Sequence, residues 1–148
     1  MAQLLVNEVF HCIQGESTHA VRPCVFVRLT YCNLRCSYCD TEYAFYEGRT
    51  MELEEILATV ESYRCKLVEI TGGEPLVQED VHQLMTSLCD RGFEVLLETG
   101  GSLDIGSVDT RRTYLARSES QAADAERKKL EEDIEGLRDQ KNGIEAQV

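Results

Sequence analysis

The chain has 148 residues, 43% of them hydrophobic, and a formal net charge of −12, which allows one domain with a core of modest size. Such acidity argues against a phosphate backbone as a direct partner, and no apolar stretch approaches the roughly 20 residues of a membrane helix. The charge is uneven: residues 1–110 carry seven Lys or Arg against eighteen Asp or Glu, whereas residues 111–148 carry eight against nine.

Leu4 to Val9 reads as a short strand, and Phe10 to Pro23 as a polar loop containing Gln14-Gly15-Glu16-Ser17. The β-rich run Val25 to Thr30 follows and leads directly into Tyr31-Cys32-Asn33-Leu34-Arg35-Cys36-Ser37-Tyr38-Cys39-Asp40-Thr41. Met51 to Tyr63 has helical spacing, with Thr50 as the expected N-cap and Leu53, Ile56, Leu57 and Val60 on one face. Lys66 to Thr71 reads as a second buried strand, ending in the turn Gly72-Gly73-Glu74-Pro75. Glu79 to Arg91 is a second helix stopped by Gly92, and Phe93 to Glu98 a third strand. Alternating strands and helices predict an α/β fold with a parallel sheet and right-handed crossovers, whose strand ends gather into a site.

Beyond about Thr110 the character changes. Ala123, Leu130, Leu137 and Ile144 recur every seventh residue, with Arg127 and Lys141 interrupting the intervening apolar positions and Gly136 and Gly143 weakening the helix. The expected organisation is therefore a folded core over 1–110 and a charged, weakly heptad-patterned helical segment over 111–148, able to pair with a second copy.

Chemistry concentrates in the cysteines. The chain opens Met-Ala-Gln-Leu-Leu-Val-Asn-Glu, without a basic segment and a long apolar run, so the expected compartment is the cytoplasm, where seven cysteines point to metal or catalytic use. Cys32, Cys36 and Cys39 lie within eight residues in a loop after a strand. They can hold iron or zinc, although their spacing does not suit a four-ligand structural zinc site. A redox pair, or zinc completed by His11 or His19, remains open at this point. With a four-iron cluster, three cysteines leave one iron with a position for a small molecule. Cys12, Cys24, Cys65 and Cys89 are scattered singly and read as ordinary thiols.

Cys-x3-Cys-x2-Cys, with Tyr38 before the last cysteine, resembles the cluster loop of the radical S-adenosylmethionine enzymes. Gly72-Gly73-Glu74-Pro75 resembles the same superfamily's motif for the cofactor's amino group. Asn7-Glu8-Val9-Phe10, Ile13 to Ser17, Phe26-Val27-Arg28, Cys39-Asp40-Thr41 and Ile70 to Pro75 narrow the resemblance to the 7-carboxy-7-deazaguanine synthase family over about residues 4–109. The resemblance implies a partial (β/α) barrel carrying a [4Fe-4S] cluster on Cys32, Cys36 and Cys39. It also implies S-adenosylmethionine, from which a 5′-deoxyadenosyl radical forms, and Mg²⁺. The implied reaction is a lyase ring contraction of 6-carboxy-5,6,7,8-tetrahydropterin, with release of ammonia, in queuosine and deazapurine biosynthesis. A homodimer and an external electron donor such as flavodoxin are implied as well.

Carried over residue by residue, Ile13, Gln14, Gly15, Arg28 and Thr71 would bind the pterin; Tyr38, Cys39, Asp40 and Gly73 would bind S-adenosylmethionine; and Thr41 would ligand Mg²⁺. A guanidinium fork suits a carboxylate, although Arg28 can equally pair with one of the many acids. The resemblance fades after Val108-Asp109-Thr110, where the family continues with further strands and a Pro-Lys segment. Expected alternatives are therefore a non-catalytic cluster-binding fragment or fusion with an association helix, or another radical enzyme such as a glycyl-radical activating enzyme.

Overall fold

The computed structural model of the chain describes residues 2–117. The expected heptad-patterned stretch from 118 to 148 lies outside the described residues. Six strands form one sheet in the order β3-β1-β2-β4-β5-β6. They are β1 (Gln3–Ile13), β2 (Pro23–Leu29), β3 (Arg49–Glu52), β4 (Leu67–Gly72), β5 (Glu94–Thr99) and β6 (Thr113–Arg117). Helix α1 (Leu53–Ser62) connects β3 to β4, and α2 (Val81–Asp90) connects β4 to β5.

β2, β4 and β5 pair in parallel, as two consecutive strand–helix–strand units require. The mixed α/β architecture is the expected one, but the sheet is not wholly parallel: β1 runs antiparallel to both β2 and β3. Three further differences have local causes. The strand expected over 4–9 reaches Ile13, because Phe10 stacks on Phe26 with ring centroids 5.0 Å apart, and His11 stacks on Tyr63 at 6.0 Å. Thr50 does not cap a helix; Arg49 to Glu52 pairs with the edge of β1, and α1 begins at Leu53 without a side-chain cap. Finally, Thr113 to Arg117 is strand β6, where the expected helical segment began at 111; its Thr-Tyr-Leu run has ordinary β propensity.

The two faces of the sheet differ. One is covered by α1 and α2, and Leu4, Val6, Val25, Val27, Leu29, Val68, Ile70, Val95 and Leu97 pack there against Ile56, Leu57, Val60, Leu84 and Leu88. The other carries a smaller apolar group of Cys24, Phe26, Leu67 and Leu96. A bulge in β1 decides what joins it. Val6 pairs with Leu29 and Glu8 with Arg28, so Asn7 is the extra residue and the alternation of β1 inverts there. Leu4 and Val6 therefore face the helices, while Glu8 and Phe10 face away from them.

Leu97 is fully buried in the larger core. Leu97→Ala should lower unfolding stability by about 2–5 kcal/mol, read as a lower urea midpoint at unchanged slope.

Candidate active site

Parallel strands deliver their C-terminal ends to one edge of the sheet. There β2 runs into the cysteine loop and β4 into Gly72-Gly73-Glu74-Pro75. The two loops are bonded along their backbones: Gly73 N donates to Leu29 O at 3.2 Å, and Glu74 N donates to Tyr31 O at 2.8 Å. Contact is so close that a Cβ on Gly73 would lie 2.0 Å from Tyr31 O and 2.8 Å from the Cys32 Cβ. Gly72, at φ +140°, would place a Cβ 2.2 Å from Leu29 O. Only glycine fits at either position. Tyr31 is itself held at φ +78°, a strained conformation for an aromatic residue, at the turn that leads into Cys32.

Glu74 carries the connection to the third strand. Fully buried, its carboxylate accepts from Leu76 N at 3.1 Å, from Thr99 Oγ1 at 2.9 and 3.0 Å, and from Gly100 N at 2.8 Å. Asn33 in the cysteine loop donates to Ser102 Oγ at 3.0 Å, a second tie to the segment after β5. Cys32, Cys36 and Cys39 are half-buried free thiols, with Leu34 N donating to the Cys32 sulfur at 3.4 Å. The Cys39 sulfur lies 3.8 Å from Thr41 Oγ1. Among the described residues no three His, Cys, Asp or Glu side chains are placed around a single metal ion.

Below the loops, on the face turned away from the helices, charged and polar side chains form rows across the strands. Glu8, Arg28 and Thr71 occupy neighbouring register positions on β1, β2 and β4, and Thr71 Oγ1 donates to Glu98 Oε2 on β5 at 2.7 Å. Arg28, with 14% of its side chain exposed, pairs through Nε with Glu8 Oε1 at 2.9 Å and sits 5.7 and 5.9 Å from the ring centres of Phe10 and Tyr43. Among the described residues Glu8 engages only Nε, and the Nη1/Nη2 edge can take a second carboxylate. The next row holds Phe10, Phe26 and Glu69. Gln14, only 3% exposed, reaches over from its loop and donates through Nε2 to Glu69 Oε2. Burial, with the negative charge of Glu98 second, pushes Glu69 up to about 7.

A family model for the radical SAM superfamily matches residues 27–115, the span that contains the two bonded loops. The chain belongs to this superfamily. Over 110 residues it is 49% identical to the 7-carboxy-7-deazaguanine synthase of Chlorobaculum tepidum, which covers 74% of this chain and 50% of that protein. With the Thermoplasma acidophilum enzyme of the same name it shares 46% over 102 residues, covering 69% and 49%. The crystal structure of QueE from Escherichia coli superposes with a TM-score of 0.71 at 27% identity, covering 78% of this chain and 59% of that one. The chain thus spans about half the length of the curated relatives it matches.

Membership in the radical SAM superfamily implies a [4Fe-4S] cluster and S-adenosylmethionine, and the three thiols fit the cluster. Three thiols on one loop can each take a different iron of a cluster, which does not require them to converge on one ion.

Arg28, Thr71 and Gln14 share one face, and Tyr38, Cys39, Asp40, Thr41 and Gly73 lie in the two loops at its upper edge. Ile13 is placed elsewhere: it pairs with Pro23 at the far end of β2, and its side chain is 54% exposed. Gly15 has open space around its Cα, so sterics do not demand a glycine there. Sequence reasoning missed Glu8, Tyr43 and Glu69 as neighbours of the site. The available signal was period-two spacing, which puts Glu69 on the face of Thr71, though the bulge hides the same relation for Glu8.

Two outcomes follow from the buried carboxylates. Glu74→Ala strands Thr99 Oγ1 and two backbone donors, and should destabilise the chain by about 3 kcal/mol or more in denaturant titration. Glu69 resists ionisation when folded, so its contribution is intact below about pH 4.5, where the unfolded chain is also protonated, and is lost as pH rises through about 7. The loss should be on the order of 3 kcal/mol, and Glu69→Gln should flatten that decline in a pH series of melting temperatures.

Proposed function

We propose that this chain is a 7-carboxy-7-deazaguanine synthase core, acting on 6-carboxy-5,6,7,8-tetrahydropterin by ring contraction with release of ammonia. The supporting observation is the row Glu8, Arg28, Thr71 and Glu98 directly beneath a cysteine loop and a Gly-Gly-Glu-Pro loop bonded to each other. Identity of 46–49% to enzymes of that name over the same strands supports the substrate assignment.

In this reading Cys32, Cys36 and Cys39 hold the cluster, and Tyr38, Cys39, Asp40 and Gly73 flank S-adenosylmethionine. The cluster and S-adenosylmethionine supply hydrogen-atom abstraction when bound, with electrons from an external donor such as a flavodoxin. The protein's own residues bind and orient the substrate. Arg28 presents its Nη1/Nη2 edge to the pterin carboxylate, with Glu8 fixing the plane of the fork. Thr71, oriented by Glu98, and Gln14, oriented by Glu69, offer hydrogen bonds to the ring. Asp40 and Thr41 supply hard oxygens suited to Mg²⁺.

Anaerobic reconstitution with iron and sulfide, followed by S-adenosylmethionine, Mg²⁺, a reductant and the pterin, tests the reading. The expected products are 5′-deoxyadenosine and 7-carboxy-7-deazaguanine; Cys32→Ala should abolish both along with the brown cluster absorbance. Arg28→Lys should keep the cluster and raise KM for the pterin by roughly tenfold to a hundredfold, the loss of a charge-assisted bidentate contact. A fully loaded cluster that forms no 7-carboxy-7-deazaguanine would overturn the assignment.

A further inference from the structure

At the end of the sheet opposite the cysteine loop, three more thiols gather that the proposed chemistry does not use. Cys12 on β1 and Cys24 on β2 are direct register partners in the antiparallel pair. Their side chains share a face, as the neighbouring register pair Phe10 and Phe26 shows by stacking at 5.0 Å on the side away from the helices. Residues opposed in this way have Cα atoms about 4.5 or 5.5 Å apart. Both separations fall within the roughly 4.4–6.8 Å that a disulfide spans. Cys12 is exposed and Cys24 fully buried, and both are free thiols. Cys65 is close by, donating from its sulfur to Pro23 O at 3.2 Å.

We propose that Cys12 and Cys24 form a reversible disulfide site, a cross-strand staple closed by thiol–disulfide exchange with a small disulfide such as oxidised glutathione. The Cys12 thiolate attacks one sulfur of oxidised glutathione and releases one glutathione, leaving a mixed disulfide. The Cys24 thiolate then attacks the Cys12 sulfur and expels the second glutathione. Two protein thiols are oxidised, one glutathione disulfide is reduced to two thiols, and the two protons pass to the departing thiolates. Burial pushes the Cys24 thiol up to about 12, so the second step is slow and waits on opening of the strand end.

The position gives the bond a consequence. Only the pair Ile13 and Pro23 separates it from the 14–22 loop, whose ends are joined by Gln14 N donating to Arg22 O at 2.8 Å. A staple at that root restricts the loop that carries Gln14 over Glu69.

The full chain, held with oxidised and reduced glutathione, alkylated in denaturant and digested with trypsin and a Glu-specific protease, separates the thiols. Cys12 then lies alone in residues 9–16, Cys24 alone in 17–28, and Cys65 in 65–66. The expected result is a 9–16 peptide joined to 17–28, preceded in time by 9–16 carrying glutathione, reversed by dithiothreitol, and retained in Cys65→Ala. Cys12→Ser, at an exposed position, should eliminate the linked product. A stable glutathione adduct on 9–16 without linkage, a Cys24–Cys65 linkage, or no change at Cys12 would each overturn the proposal. None of these outcomes depends on cluster loading or turnover.

Discussion

A single buried carboxylate holds together the upper edge of this molecule. Glu74 follows the Gly-Gly pair at the end of β4, and its backbone N–H bonds to Tyr31 at the root of the cysteine loop while its side chain bonds Thr99 and Gly100 at the end of β5. Three strand ends are thereby fixed to one residue. A charged group without water is tolerated only when donors replace its hydration, and four contacts from three donors do so here. The glycines before it exist for the same junction, since any Cβ at Gly72 or Gly73 would strike the backbone of the adjoining strand or loop.

That junction leaves the space beneath it to the strands. Strand pleating sorts residues between two environments: aliphatic side chains go under α1 and α2, while the opposite face carries Glu8, Arg28, Thr71, Glu69 and Glu98. Each polar group is paired with another, Arg28 with Glu8, Thr71 with Glu98 and Gln14 with Glu69. Such pairing orients side chains before any ligand arrives, which lowers the ordering cost of binding. It also sets a competition at Arg28, where Glu8 holds Nε and a substrate carboxylate would take the remaining edge.

Much of this was legible in the amino-acid order. Buried strands at 67–72 and 94–99 and the two helices between and before them show plain hydrophobic patterns, and the cysteine spacing marks its loop without help. Boundaries were less legible where a tertiary neighbour decided them. Phe10 to Ile13 runs without a break into the polar stretch Gln14 to Thr18 and so reads as loop, but it becomes strand where Phe26 and Tyr63 stack upon it. Arg49 to Glu52 reads as a helix start and becomes an edge strand because β1 offers open hydrogen-bonding groups. Glu8 escaped notice because a one-residue bulge inverts the face of everything after it.

By itself, then, the sequence determined the chemistry-bearing loops, the parallel strand–helix core and the residue types available to a cluster and a carboxylate. These are local properties, carried by spacing and by hydrophobic period. Only the tertiary structure decided which acid stands beside Arg28, that Gln14 reaches Glu69, that Ile13 sits apart from the row, and that Cys12 faces Cys24. Those relations join residues from 12 to 55 positions apart, and register between strands, which no single segment encodes, sets them.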